Sequence, residues 1–269
     1  MGSCKILYVS QEVAPYLPET EMSVLCRTLA QNMHERGHQI RAFMPRYGCV
    51  NERRNQLHEV IRLSGMNLII DDNDHQLIIK VASIPSSRVQ IYFIDNNDYF
   101  SRKAVVKDPD GSYFPDNDER AMFFARGVLE IVRKLLWAPT IVHCHGWLSA
   151  MVPVYLRHTM ADDPIFKDSK IVISLYDESF SGTLDPGFAG KLSGEGIESD
   201  KTGLLGDPTY VNLMKFVTSY ADGIVVEAKN PDAELSEWIG GLGVPVLGRQ
   251  DKSTKAYLDN YQEFYGKLL

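Results

Sequence analysis

The sequence of 269 residues lacks the features that define several large classes of protein. Its four cysteines are scattered, without a CxxC pair, so we expect neither a disulfide framework nor a cysteine-based metal site. No apolar run approaches the roughly 20 residues of a membrane-spanning helix. The start, MGSCKILYVS, lacks the layout of a cleavable signal peptide, because its short apolar run is typical of a strand. We therefore expect a cytoplasmic protein with reduced thiols.

Positive charge is also scarce. Lys and Arg number 28 against 35 Asp and Glu, which gives a formal net charge of −7. Binding to nucleic acid depends on neutralising phosphates with basic side chains, and binding to an anionic membrane depends on a dense basic stripe. The sequence has no such stripe, so we expect no nucleic-acid partner and no membrane partner.

Glycine is missing where a phosphate-binding loop would need it. The segment QEVAPYLPETEMSVL (11–25) follows the first apolar run and contains no glycine. The sequence has no G-x-G-x-x-G after that run, no G-x-x-x-x-G-K-[ST] loop and no G-x-S-x-G elbow. Enzyme classes that rely on these signatures are not expected, and no cofactor is predicted.

The order of apolar and amphipathic segments predicts an α/β fold. KILYVS (5–10) is typical of a buried parallel strand, an amphipathic helix follows it, and QIRAFMP (39–45) is a second strand. Alternating segments of this kind continue to GIVVEA (223–228). We predict one Rossmann-like domain over residues 1–269, with a doubly wound, mostly parallel sheet.

Two segments depart from this alternation. Residues 57–94 contain strand-like runs, among them EVIRL and MNLII, separated by the turn-like DDNDH, and they predict a β-hairpin insertion. Residues 252–269 predict a final amphipathic helix. The stretch 177–207 is rich in Gly, Ser and Asp without periodicity, which indicates a loop.

Ligands bind such sheets at the carboxyl ends of the strands, where two clusters of polar residues stand out. In HCHGW, His143 and His145 point to the same face of a strand and could hold a metal, but no third ligand has a fitting spacing. We therefore favour a structural role, in which one histidine satisfies a backbone group and the other caps the next helix. Gly146 could let a ligand approach the following N–H groups.

The second cluster is YDESFSG (176–182). The adjacent carboxylates Asp177 and Glu178 could serve in acid–base chemistry, although a solvated loop start is the simpler interpretation. Residues 177–201 carry six acids and two lysines, a local charge of −4 that disfavours a diphosphate.

A set of segments, in this order along the chain, resembles the N-terminal domain of the bacterial glycogen synthases and plant starch synthases. The segments EVAPY, RGHQIRAFMPRYG and PDNDERAMFF carry most of the resemblance, which covers most of residues 4–230. It implies a GT-B fold of two Rossmann-like domains, and transfer of glucose from ADP-glucose to an α-1,4-glucan with retention and without a metal.

The resemblance also shows where this chain departs from the family. The family loop reads roughly E-V-A-P-x-x-K-T-G-G, and its lysine and glycines bind the donor phosphates. The positions that correspond to K-T-G-G are Pro18, Glu19, Thr20 and Glu21, which lack the lysine and both glycines. We therefore expect the anion site to have become acidic.

Other family motifs are partly retained. The family H-D-W appears here as His145, Gly146 and Trp147, and its His–Asn pair as Tyr176–Asp177, followed by a retained Gly182. The resemblance implies that His145 and Asp177 are the candidates for any remaining catalysis. It also implies substrate contacts at Pro18, Glu19, Thr20, Glu21, Gly146, Trp147, Tyr176, Asp177, Glu178 and Gly182.

The family's nucleotide-binding second domain has no counterpart in the roughly forty residues after GIVVEA, which are too few for a Rossmann domain. The final helix nevertheless resembles the family helix that returns to the N-terminal domain. We therefore expect a non-catalytic domain related to glucan metabolism that binds a sugar, a glucan or a protein partner.

Two alternatives remain open. The first is an active retaining glucosyltransferase whose donor domain is supplied by another chain, and the second is an unrelated enzyme that uses His145, Tyr176, Asp177 and Glu178. Four apolar side chains could form an exposed patch that binds a protein partner, such as a second copy of the chain in a homodimer, and packing within loops is an equally good interpretation of them. They are Tyr16, Leu17, Phe180 and Phe188.

Overall fold

A computed structural model describes residues 2–198 and 200–269 of the chain. The strands are β1 (Lys5–Ser10), β2 (Gln39–Pro45), β3 (His58–Glu59), β4 (Met66–Ile70), β5 (Asn73–Ser83), β6 (Gln90–Asp95), β7 (Ile141–His145), β8 (Lys170–Leu175), β9 (Gly223–Val226) and β10 (Val246–Leu247). The helices are α1 (Glu21–Glu35), α2 (Asn97–Phe100), α3 (Asn117–Lys134), α4 (Met151–Arg157), α5 (Phe188–Gly194), α6 (Tyr210–Thr218), α7 (Ala233–Gly241) and α8 (Ala256–Leu268). Short 3₁₀ turns lie at Trp147–Ser149 and Thr202–Gly206.

The predicted parallel sheet is confirmed. The strand order is β10-β9-β8-β7-β1-β2-β6-β5-β3, and neighbours from β10 to β6 pair in parallel. The chain runs outward from β1 to β2 and β6, and then returns to place β7 on the other side of β1. This reversal creates a crevice between the carboxyl ends of β1 and β7, which is where ligands of such sheets bind.

The predicted hairpin is also confirmed, with a shorter turn than the sequence indicated. β4 and β5 pair antiparallel from Met66↔Leu77 to Ile70↔Asn73. The turn is only Asp71–Asp72, and both residues have positive φ, as the tight turns of β-hairpins require. The expectation of a strand over EVIRL is wrong, because pairing stops after His58–Glu59 and the chain turns at Val60–Ser64.

The region predicted as loop, 177–207, contains helix α5 and the 3₁₀ turn at Thr202–Gly206. Its few apolar side chains are buried, with Phe188, Leu192 and Leu205 fully inside the core. Burial of widely spaced apolar residues organises this segment, which is why local periodicity missed it. The apolar patch considered for a partner is absent from the described surface, because Tyr16, Leu17, Phe180 and Phe188 are all buried.

Helix α8 packs against α1 and lies over one face of the sheet. Its Tyr265 hydroxyl is 2.7 Å from Nδ1 of His143 on β7, and the Nε2 of that histidine is 2.7 Å from the Ser174 hydroxyl on β8. Tyr261 donates a 2.7 Å hydrogen bond to the buried carboxylate of Glu227. Burial, together with the neighbouring His145, keeps the pKa of His143 well below its ordinary value. The helix is therefore fixed to the sheet by buried polar contacts as well as by packing.

We predict that Tyr265→Phe destabilises the fold, because it leaves Nδ1 of His143 buried without a partner. The expected loss is about 1–3 kcal/mol in the free energy of unfolding, measured by urea denaturation.

Tyr16→Phe is the matched control, because the Tyr16 hydroxyl is buried and has no hydrogen-bond partner within the described chain. Its removal should be neutral or slightly stabilising. Equal effects of the two substitutions would show that the contact between Tyr265 and His143 does not stabilise α8.

Candidate functional site

The loop after β1 ends in a well-capped helix. Thr20 is the N-cap of α1 and forms a capping box, in which its hydroxyl accepts from the Ser23 N–H and the Ser23 hydroxyl accepts from the Thr20 N–H. The Thr20 hydroxyl also donates to the carboxylate of Glu12 at 2.7 Å. Pro18, Glu19 and Thr20 are exposed. The segment is thus a rigid helix start whose Thr20 hydroxyl already has partners.

The acidic residue at the end of this loop, Glu21, is paired with basic side chains from later in the chain. The Glu21 carboxylate oxygens form ion pairs with the side-chain nitrogens of Lys229 at 3.3 Å, Arg249 at 2.5 Å and Lys252 at 3.1 Å. Partial burial alone would raise the pKa of Glu21, but the hydrogen bonds from these cations outweigh it and lower the pKa to about 2. A carboxylate of the chain itself therefore occupies the cationic site beside the α1 N-terminus.

The same cations extend the network toward α8. Lys252 also pairs with the fully buried carboxylate of Glu227, and Arg249 donates to the backbone carbonyl of Glu227. Because Tyr261 of α8 donates to this carboxylate as well, the network joins the α1 loop, the end of β9 and the final helix. No local pattern in the sequence indicates these pairings, because residues 21 and 252 meet only in the folded chain.

His145, Gly146 and Trp147 lie at the end of β7, inside the crevice, and are closed off from solvent. His145 has 0% of its surface exposed and Trp147 has 1%. Gly146 adopts φ +85°, and a Cβ there would stand 2.6 Å from the Cβ of Gln11. Gln11 in turn accepts the Leu148 N–H through its side-chain oxygen. The predicted opening for a ligand at Gly146 is therefore filled by Gln11.

The two histidines share one face of β7 as predicted, with ring centroids 3.9 Å apart. Nδ1 of His145 is 2.7 Å from the Tyr176 hydroxyl, and its Nε2 has no hydrogen-bond partner among the described residues. Burial lowers the pKa of His145 to about 3, so the ring is neutral. Both histidines pair with side chains, so the predicted bond to a backbone group and the predicted helix cap are wrong.

In the described part of the chain, no group of three or more His, Cys, Asp or Glu is placed to hold a metal ion. The surroundings of His145 consist of packed rings, and a sealed imidazole cannot exchange protons with a bound ligand while the crevice keeps this arrangement.

The adjacent acids after β8 face different ways. The Asp177 carboxylate accepts the backbone N–H groups of Lys229 and Asn230 at 2.7 and 3.1 Å, so it joins the ends of β8 and β9. Both carboxyl oxygens of Glu178 are buried and have no hydrogen-bond partner in residues 2–198 and 200–269. The pair therefore does not form the acid–base dyad that adjacency suggested, and the solvated-loop interpretation fails for Glu178.

Burial raises the pKa of Glu178 well above its ordinary value, and the nearby Glu12 carboxylate raises it further. The N–H of Trp147 acts in the opposite direction but is too weak to compensate. Burial therefore favours the protonated form of Glu178, which lies at the carboxyl end of the sheet.

A cavity of about 830 Å³ opens beside this loop, between the end of β8, the start of α6 and helix α7. It contains Tyr176, Asp177, Glu178 and Gly182 of the predicted site. Gly182, with φ +77°, allows the loop to turn back along the cavity. The residues that sequence reasoning missed in its wall are Thr209, Tyr210, Asn230, Asp232, Leu235 and Ser236.

Two of the missed residues, Thr209 and Asp232, are of types that commonly begin helices, and this is the one indication of them in the sequence. Thr209 is the N-cap of α6 and Asp232 the N-cap of α7, and each side chain accepts a backbone N–H of its helix. Such caps mark helix starts, and helix starts that follow or flank parallel strands collect at the ligand edge of the sheet. Their convergence on one cavity required the strand order.

Comparison with known proteins identifies the family. The sequence model described as the starch synthase catalytic domain matches residues 5–239. The chain belongs to this family. It is 32% identical over 266 residues to a glycogen synthase of Pelodictyon phaeoclathratiforme, covering 98% of this chain and 52% of that protein. It is 35% identical over 196 residues to a glycogen synthase of Chlorobium limicola, covering 72% and 40%.

The fold agrees with this assignment. The catalytic domain of starch synthase IV from Arabidopsis thaliana, solved with ADP and acarbose bound, superimposes with a TM-score of 0.73 at 16% identity. The match covers 93% of this chain and 52% of that one, so the fold is the Rossmann-like part of a GT-B glycosyltransferase. The chain spans about half the length of the glycogen synthases it matches. None of the helices in the described residues has the length and apolar character needed to cross a membrane.

We predict that Glu21→Gln lowers stability in a pH-dependent way. The folded pKa of Glu21 is about 2, against about 4.5 for a free carboxyl, so the stabilisation is complete above pH 4.5 and disappears as the pH falls toward 2. Since Glu21 is about one-third exposed, the expected loss at pH 7 is only roughly 0.5–1 kcal/mol. Urea unfolding of both proteins at pH 7, 4 and 3 measures it.

Glu19→Gln is the control, since Glu19 is exposed and has none of these ion pairs. Its effect should be smaller than that of Glu21→Gln at pH 7. A Glu21→Gln deficit that stayed constant from pH 7 to pH 3 would contradict the ionised network.

Proposed function

We propose that this chain is a non-catalytic member of the starch synthase catalytic domain family that binds a sugar or a short α-glucan in the cavity beside β8. The observation that carries the proposal is the Glu21 carboxylate, which holds Lys229, Arg249 and Lys252 at the start of α1. The family resemblance puts the donor phosphates at this loop. A nucleotide sugar would have to break these ion pairs before its diphosphate could bind.

The buried crevice supports the same proposal. Transfer of a glucosyl group relies on donors and charges that stabilise the leaving diphosphate and the reacting ring. Here the retained family histidine, His145, is neutral, fully buried and bonded to Tyr176. Neither group that the resemblance marks as a candidate for catalysis is free, because the Asp177 carboxylate is bonded to backbone N–H groups.

The cavity has the composition of a sugar site. Aromatic side chains, which pack against the C–H faces of sugar rings, are supplied by Tyr176, Phe180 and Tyr210. Polar side chains in the lining that can exchange hydrogen bonds with hydroxyl groups are Asp177, Ser179, Thr209, Asn230, Asp232 and Ser236. Such a wall of apolar surface with a few placed polar groups is typical of a small-molecule site. The described lining contains no Lys, Arg or His, which disfavours phosphorylated ligands.

We predict that maltose and maltotetraose bind to the protein, and that ADP-glucose binds no more tightly than these neutral sugars. Isothermal titration calorimetry measures both, and incubation with labelled ADP-glucose and glycogen measures transfer. Incorporation of label above a heat-inactivated control would contradict the proposal. It would favour the active glucosyltransferase, an alternative that the half-length match to glycogen synthases keeps open.

Substitutions on α7 locate the binding site. Ser236 is exposed and lines the cavity, so Ser236→Trp should fill the entrance and weaken sugar binding about tenfold or more. Glu237→Trp adds the same side chain at the next exposed position, outside the cavity, and should leave binding unchanged. Equal affinities of the two variants would place the sugar elsewhere.

A further inference from the structure

A second cavity, of about 450 Å³, lies at the opposite edge of the sheet from the crevice. It opens where β2 and β6 begin, beside the last turn of α1, and it shares no lining residue with the cavity beside β8. His34, His38, Arg41 and Arg88 line it, whereas no Asp or Glu does so among the described residues. Such a group of basic side chains without acids is unexpected in a chain whose net charge is −7.

Arg41 is the half-buried basic group that the described chain leaves without a counter-ion. Its Nη1 donates a 2.7 Å hydrogen bond to the Tyr92 hydroxyl, and its guanidinium lies 5.6 and 5.2 Å from the ring centres of Tyr92 and Trp137. These contacts are neutral, so they hold the group in position without a carboxylate. Other half-buried arginines each pair with a carboxylate, namely Arg46, Arg126 and Arg157.

One donor of Arg41 is open to the cavity that this residue lines. Its Nη2 is not covered and has no hydrogen-bond partner among the described residues. A ligand in the cavity can therefore contact Nη2 directly, while the rings of Tyr92 and Trp137 keep the guanidinium in place.

Two covered N–H groups add positive potential behind this donor. One is Nε of Arg41, which has no acceptor in the described chain. The other belongs to His38, whose Nδ1 accepts the Cys4 N–H at 3.1 Å. Burial lowers the pKa of His38, and the neutral ring then carries its proton on Nε2, which also lacks an acceptor in residues 2–198 and 200–269. Both groups favour negative charge in the cavity, although neither is in contact with it.

Exposed side chains supply further donors at the rim. Arg88 precedes β6 and has no ion pair within the described chain, and the amide side chains of Gln39 and Gln90 begin β2 and β6. The wall includes the end of α1 and not the start of a helix, so binding of an anion here depends on side chains.

We propose that this amino-edge cavity, between the starts of β2 and β6, binds the phosphate group of a small phosphorylated metabolite, with Arg41 and Arg88 as its cationic contacts. Arginine suits this role because its guanidinium stays charged and donates several hydrogen bonds to phosphate oxygens. A volume of about 450 Å³ accommodates a phosphate group with a monosaccharide or a nucleoside attached. The site goes beyond the proposed function, which places a neutral sugar in the other cavity.

Calorimetry with matched pairs of compounds tests the proposal. Glucose 1-phosphate is compared with glucose, and AMP with adenosine. We expect the phosphorylated member of at least one pair to bind about tenfold or more tightly than its partner, and inorganic phosphate to displace it. Equal affinities within both pairs would overturn the proposal.

Substitutions locate the phosphate. Arg41→Gln should weaken binding of the phosphorylated compound about tenfold or more, and Arg88→Gln, at the exposed rim, about two- to fivefold. Arg53→Gln removes an exposed arginine outside the cavity and should leave binding unchanged. Circular dichroism and urea unfolding verify that the variants are folded, and Arg88→Gln decides the matter if Arg41→Gln is not.

The remaining outcomes separate this site from the proposed sugar site. Ser236→Trp, which fills the cavity beside β8, should leave phosphate binding unchanged. Loss of phosphate binding in that variant, or unchanged binding in the folded arginine variants, would overturn the amino-edge site. Failure of maltose and maltotetraose to bind would overturn the proposed function and leave the amino-edge site intact.

Discussion

The ion pairs that converge on Glu21 join the loop after β1 to the carboxyl edge of the sheet and to the final helix. Through Lys252 and Glu227 they connect the start of α1 to the end of β9, and through Tyr261 they reach α8. The Tyr265 hydroxyl, on the same helix, is hydrogen-bonded to Nδ1 of His143 in the sheet. The loop after β1, the edge of the sheet and the final helix are thus parts of one network. The described cations that surround Glu21 are Lys229, Arg249 and Lys252. All three are paired with its carboxylate, so none of them is free to bind an external anion.

In the crevice between β1 and β7, too, groups that could contact a ligand instead contact other residues of the chain. The Gln11 side chain fills the space beside Gly146, and the Tyr176 hydroxyl is hydrogen-bonded to Nδ1 of His145. Where the family resemblance implies an open catalytic cleft, this chain has side chains packed to the density of a core. The open space lies in the cavity beside β8, the strand that pairs with β7 on the side away from β1. The open cavity and the crevice marked by the family motifs are therefore different places in this structure.

Glu178 is the exception to internal satisfaction, and exceptions of this kind concentrate at functional sites. The surrounding fold buries its carboxyl group and places the Glu12 carboxylate near it. A purely structural position would favour glutamine or an apolar residue there, because each would avoid the cost of an unpaired acid.

The sequence by itself determined the α/β class, the hairpin, the final helix and the position of the altered loop. These depend on local periodicity, turn residues and motif order, such as KILYVS, Asp71–Asp72 and EVAP, which a linear chain displays. It did not determine that Glu21 meets Lys229, Arg249 and Lys252 or that His145 is closed off from solvent. Nor did it determine that the carboxyl group of Glu178 is buried while its neighbour Asp177 is exposed. Pairings across some 200 residues, and the side of a loop that faces the core, depend on strand order and packing. Only the tertiary structure decided them, because burial and ion pairing are properties of three-dimensional neighbours.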